Sequence, residues 1–308
     1  MPSPAALGVC LTSSSSKTPK IPASTDALHL EVAREVIDAL LATGKHEITI
    51  LSRTPVSPES VAPGTLWRAV DYSNKEDLTS ALVGTHTVLS FIQLLSDPDN
   101  HSQKTLIDAC IAAGVKRFAP SEYASAGTNH MPWWSGKEAV RRYLRAVNTP
   151  AAVLEYTLFQ PGLFLDYLAS PYQTATHVRP LDTVFDMQNR RAIVVAGHED
   201  AVMTFTSARD LAAVVALTVE HPGRWPEVAG IKGNRVTFSE VVKMGEMIRG
   251  MDKSQTNSFR LYSSHSHLIN LPITTYNPKP NPPTYHTHSH TPYTLHLTHF
   301  PFCSLSPN

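Results

Sequence analysis

A cation in the first turn of a helix opposes the helix dipole, which disfavours positive charge at that end. Lys137 has that placement in "HMPWWSGKEAVRRYL", after a long loop. The mismatch marks its amine as a candidate for proton transfer. An amine with a reference pKa of about 10.4 works near neutral pH only when burial or a neighbouring cation lowers that value. An oxidised nicotinamide beside it would act in the same direction. The residue four positions earlier is Trp133, so no tyrosine stands at Tyr-x-x-x-Lys spacing. The plain alternative is a surface lysine. Arg141 follows one turn later on the same helical face. It could repel the Lys137 charge, reach a phosphate or lie in solvent. Arg53 comes directly after the β-branched run "EITIL". In a dinucleotide-binding fold an acidic residue there favours a free ribose 2′-hydroxyl and an arginine favours a 2′-phosphate. A guanidinium holds phosphate through paired hydrogen bonds, so Arg53 points to NADPH. A solvated arginine at a strand end is the alternative.

These side chains need elements to hold them. Glu31–Thr43 puts Val32, Val36, Ile37, Leu40 and Leu41 on one helical face, and Gly44 closes the helix. Glu47–Leu51 reads as a strand, Asn74 as the cap of a helix through Val83, and "THTVLSFI" as the next strand. Then come helix Gln103–Ala113, strand "KRFAP", helix Lys137–Ala146, strand "PAAVLEYT", strand "RAIVVA" and helices Ala208–Glu220 and Thr237–Arg249. Thr237 and Glu240 fit a capping box. Strands separated by helices of about three turns predict right-handed βαβ units and a doubly wound, Rossmann-like parallel sheet. Ligands of such sheets sit beyond the carboxyl ends of the strands. That rule selects Ser52–Arg53, Ser90–Phe91, Ser121–Glu122 and Phe159–Gln160. Ser121 and Glu122 could hydrogen-bond a substrate or a nicotinamide ribose, or cap a turn. Trp133, Trp134, Phe164 and Tyr167 suggest an aromatic-lined substrate site, although such residues are more often plain core.

Composition narrows the partners. The chain has 308 residues, 42% of them hydrophobic, with 26 basic and 26 acidic side chains. A zero formal net charge argues against a protein held to nucleic acid by phosphate contacts. Cys10, Cys110 and Cys303 match no metal or redox spacing, which predicts a reduced, cytoplasmic setting. No apolar run approaches the roughly 20 residues of a membrane helix, and the expected partner is a small molecule. The tail motif "HTHSH" lacks carboxylate or thiol partners, so no metal site is expected. Asn100-His-Ser is a glycosylation triplet without meaning in a cytosolic chain.

The runs "GVKRFAPSEYA", "KEAVRRYL", "LFQPGLFLDYL" and "FTSARDLAAVVALTVEHPGRWP" together resemble the NmrA-like and isoflavone-reductase-like family of atypical short-chain dehydrogenases. The likeness spans roughly residues 31–250. It implies a Rossmann domain with a smaller substrate region, binding NADPH. In the reductase branch it makes Lys137 a general acid or base, sets Arg53 against the 2′-phosphate and lines the nicotinamide pocket with Phe159–Phe164. In the NmrA branch it implies a dinucleotide sensor with a protein partner.

Two departures stand out. The family opens with a strand, a loop like G-x-x-G-x-x-G and the first helix. Here "ALGVCL" can begin a strand, but no glycine follows Gly8 until Gly44. After Gly250 the chain has no glycine, and after Asp252 no acidic residue. The expected organisation is therefore an atypical segment 1–30 replacing the glycine-rich loop, a dinucleotide domain 31–160, a substrate region 161–250 and a disordered or non-native tail 251–308. The expected activity is NADPH-dependent hydride transfer to a small aromatic or phenolic molecule. The alternative is a non-catalytic NADP-sensing regulator.

Overall fold

Asn148 shows how single side chains shape this chain. Its Oδ1 accepts from the backbone N–H of Val153 (2.8 Å) and Leu154 (2.9 Å), which turns the backbone before it can join a sheet. The predicted strand "PAAVLEYT" is therefore reduced to Glu155–Tyr156. The computed structural model describes residues 7–13, 29–53, 63–94, 97–128, 131, 134–195, 197–249 and 260–262. Most of the expected N-terminal segment and tail, together with Trp133, lies outside the described residues.

In chain order the first half contains β1 (Leu7–Ser13), α1 (His29–Thr43), β2 (His46–Ser52), β3 (Thr65–Ala69), α2 (Lys75–Ala81), β4 (Thr87–Ser90), α3 (His101–Ala113), β5 (Arg117–Ala119), α4 (Ser135–Val147) and β6 (Glu155–Tyr156). One six-stranded sheet gathers the strands in the order β3-β2-β1-β4-β5-β6. This is the order of a doubly wound dinucleotide fold. The pairs β2–β3, β4–β5 and β5–β6 are parallel. β1 fills the central slot but runs antiparallel to both neighbours, with Leu7 opposite Ser52, Ser13 opposite His46 and Gly8 opposite Ser90. A strand was expected at "ALGVCL", and its reversed direction is new.

The local rules explain most boundaries. Gly44 (φ 66°) ends α1 as expected, and Gly114 (φ 73°) ends α3. The Asn74 side chain accepts from Asp77 N–H and starts α2, which stops at Ala81, short of Val83. Asp97 starts α3, its carboxylate accepting from Ser102 N–H (2.8 Å) and Gln103 N–H (3.0 Å). β3 was not anticipated. It is a five-residue edge strand whose Leu66 is exposed, so it carries little apolar signal.

Two apolar layers cover the sheet. Val36, Ile37 and Leu40 of α1 pack with Val9, Ile48, Ile50 and Leu89. Leu106, Ile107, Val140 and Leu144 form the opposite layer with Leu51, Val88 and Phe118. Helices on both sheet faces confirm the doubly wound reading.

The second half adds β7 (Leu158–Gln160), β8 (Leu163–Phe164), β9 (Phe185–Asp186), β10 (Arg191–Ile193), β11 (Val202–Thr206), α5 (Ala208–Glu220), β12 (Val228–Gly230), β13 (Asn234–Thr237), α6 (Phe238–Arg249) and β14 (Arg260–Tyr262). α5 returns to the Rossmann layer, where Leu211 and Val215 join the α1 cluster. The capping box at α6 forms: Glu240 N–H donates to Thr237 Oγ1 (3.1 Å) and Thr237 N–H to Glu240 Oε2 (2.7 Å). Arg117 fastens β5 to the end of α5. Its guanidinium donates to His221 O (2.8 Å) and Gly223 O (2.6 Å) and lies over the Trp225 ring. Among the described residues no helix is long and apolar enough to cross a membrane.

Candidate active site

The buried face of α4 carries Lys137, Val140, Arg141 and Leu144, the i, i+3, i+4, i+7 stripe of an inward-facing helix. Two of those four core positions hold cations. Gly136 permits the close approach that buries them. A Cβ there would lie 2.3 Å from Leu94 Cδ1 and 2.7 Å from Asn100 Oδ1. Asn100 itself is buried, with its Oδ1 enclosed.

Lys137 Nζ donates to the carbonyls of Ser121 (2.8 Å) and Glu122 (2.5 Å). Burial pushes the amine down to about 8, helped by Arg141 and opposed by Glu122. The Glu122 carboxylate is sealed beneath this loop. It accepts from Arg141 Nε (3.1 Å) and Nη2 (2.6 Å), and from Gln160 Nε2 (3.4 Å). The third Arg141 nitrogen, Nη1, donates to Ala126 O (2.8 Å). Arg141, expected near cofactor phosphate, is thus engaged with Glu122. Glu122, expected near substrate, is 1% exposed and pairs with Arg141.

The strand ends converge on one further residue. Gln103 Oε1 accepts from Ser121 N–H (3.0 Å) and Ser90 Oγ (3.5 Å), joining the carboxyl ends of β5 and β4. Phe91 and Phe159, the aromatic candidates after β4 and in β7, are linked by Tyr123. Its ring stacks on Phe91 at 4.8 Å and 3°, and on Phe159 at 6.4 Å and 6°. Tyr123 takes a positive φ of 33°, which a residue with a side chain rarely adopts. Its hydroxyl is buried with no hydrogen-bond partner among the described residues, and burial raises its pKa. Phe164 and Tyr167 meet edge to face at 5.5 Å and join the same cluster as Phe159. Ser52 is buried and Arg53 half-buried at the end of β2.

The sequence had singled out neither Tyr123 nor Gln103. Tyr123 was legible only as the residue after the Ser121–Glu122 pair. Gln103 sits at an ordinary helix position whose link to two strand ends requires the fold. Among the described residues no cluster of His, Cys, Asp or Glu could hold a metal, and Cys110 is buried.

A dinucleotide is the ligand that this strand order implies. Among the described residues its ends find partners and its centre does not. Lys137 at the β5 loop suits a nicotinamide ribose or a reacting oxygen, and Arg53 at β2 suits a 2′-phosphate. The diphosphate needs the first strand to emerge at the carboxyl edge into a glycine turn. β1 ends instead opposite His46, at the start of β2.

The NmrA-like family model matches residues 31–258. Oxidoreductase BOA1 of Botryotinia fuckeliana (strain B05.10) is 34% identical over 230 residues, covering 71% of this chain and 73% of that protein. The solved structure of AtPrR2 with NADP+ and (+)pinoresinol is similar with a TM-score of 0.55 at 19% identity, covering 76% of each chain. An isoflavone reductase structure has a TM-score of 0.54 at 17% identity, with the same coverage. These two likenesses concern the fold.

Proposed function

Because the chain belongs to the NmrA-like family, we propose that it is an oxidoreductase of the isoflavone-reductase-like type. Its substrate is a small aromatic or phenolic molecule, its cofactor is NADPH, and its setting is the cytoplasm. The observation that carries this reading is Lys137, an amine buried on a core helical face and lowered to about 8. A lysine ammonium has three protons to donate. Ser121 O and Glu122 O take two of them, which fixes the direction of the third. That proton is the one available to a ligand oxygen on which negative charge develops.

A bound reduced nicotinamide supplies the hydride. The chain supplies orientation, water exclusion and the proton. At pH 7 an amine with a pKa of about 8 is mostly protonated, so it acts as the general acid and recovers its proton from water. The Glu122–Arg141 pair keeps the carbonyls that hold Nζ in place. Buried Phe91 and Phe159 back the half-buried Tyr123 ring, on whose flat apolar surface an aromatic substrate packs.

The test is to follow nicotinamide fluorescence during turnover of phenolic substrates by the wild type and Lys137→Ala. Loss of turnover in a folded variant supports the acid role; unchanged turnover removes it. The reversed β1 favours a second reading, a non-catalytic regulator with a protein partner. In that reading Lys137→Ala leaves partner binding intact.

A further inference from the structure

We infer that this chain grips a dinucleotide by its two ends and that its described residues build no seat for the diphosphate between them. The inference rests on the reading of Arg53 and Lys137 above and bears on how the cofactor is held.

Three observations carry it. The first is direction. In a sheet ordered β3-β2-β1-β4-β5-β6 the ligand crevice opens where the strand order reverses, beside β1 and β4. The diphosphate then rests on backbone N–H groups where the first strand turns into the first helix. Leu7 and Gly8, the start of β1, lie at that edge opposite Ser52 and Ser90. Ser13, the last residue of β1, lies at the other edge, opposite His46.

The second is composition. Between Gly8 and Gly44 there is no glycine, and Pro19 and Pro22 interrupt the run. A Cβ keeps a diphosphate away from the backbone, and proline has no N–H to offer.

The third is the state of α1. Glu31 and Glu35, in its first turns, are both buried. They already have partners: Glu31 pairs with the Arg179 guanidinium and accepts from Arg179 N–H (3.0 Å). Glu35 accepts from His177 N–H (2.6 Å) and Val178 N–H (3.2 Å). A diphosphate brought to this helix would meet carboxylates already installed there.

Calorimetric titration of the full chain with NADPH, NADH and 2′-phosphoadenosine tests the inference. The expected NADPH dissociation constant is on the order of 10⁻⁴ M or weaker, within about tenfold of the fragment. An NADPH constant of about 10⁻⁶ M or tighter overturns it. A variant in which residues 7–28 are replaced by a parallel strand and a G-x-x-G-x-x-G turn should gain at least about 100-fold for NADPH and nothing for the fragment. A folded graft without that gain also overturns it. Should the graft not fold, the wild-type titration still decides. Turnover at millimolar NADPH bears on the oxidoreductase reading alone. Its absence alongside weak binding would sink that reading and leave this inference standing.

Discussion

Two regions share the carboxyl edge of one sheet and are built on different terms. Around Lys137 the polar groups are specified one by one: amine to two carbonyls, Glu122 to Arg141 and Gln160, Ser121 to Gln103. Around β1 the requirement is only that the central slot be filled. "LGVCL" is apolar enough, Val9 is fully buried, and ladder hydrogen bonds form in either direction. The hydrophobic effect is non-directional, so it accepts a reversed strand. A phosphate turn does not, because its donors depend on which way the chain leaves the sheet. A fold can therefore keep its core and the Lys137 half of a site whichever way its central strand runs.

The largest expected effect breaks the specified region. Lys137→Ala should lower turnover by about 10²–10⁴-fold, the usual worth of a positioned acid, with far-ultraviolet circular dichroism unchanged. Equal activity would mean that the Lys137 region is no more functional than the β1 region. Next, Glu122→Ala leaves Arg141 buried without its carboxylate and should cost about 3–5 kcal/mol in urea unfolding. Glu31→Gln removes the corresponding pair on α1. Arg179 is more than half exposed there, so the pair itself is worth about 0–1 kcal/mol. Similar losses at the two sites would erase the contrast.

A pH series sharpens the contrast through Lys137. The amine is lowered from 10.5 to about 8, so between these values the unfolded chain holds more protons and stability rises with pH. The full rise is on the order of 3 kcal/mol and should vanish in Lys137→Met. Below pH 8 the buried charge is present and that stabilisation is absent. Arg53→Ser should reduce a preference for NADPH over NADH by about tenfold, an effect of about 1.4 kcal/mol, measured by competitive binding. The smallest change is Tyr123→Phe. It deletes an unpartnered buried hydroxyl and should raise stability by about 1 kcal/mol; a loss of stability would reveal a partner for that hydroxyl.

What the sequence made legible follows the same division. α5 is found at Ala208–Glu220 as expected, because Ser207 caps it and its Leu/Val spacing is unbroken. Lys137 was legible because a cation in the first turn of a helix opposes the helix dipole. The reading of "PAAVLEYT" failed because apolar content carries no record of Asn148 bending the backbone. The direction of β1 was illegible for a deeper reason: apolar alternation reads alike from either end, and only the connection decides. Gln103 and Tyr123 acquire meaning through neighbours far away in sequence.

The seating of Asn100 against Gly136 bears on how the protein should be produced. Asn100-His-Ser is a sugar-acceptor triplet, yet the asparagine is enclosed at the start of α4. A secretory host that decorates it during synthesis would attach a bulky carbohydrate where the finished molecule has no room. The start of α4 could then not settle, and Lys137 would lose its two carbonyls. A bacterial cytosol, which leaves the triplet bare, is the host in which the chain can close.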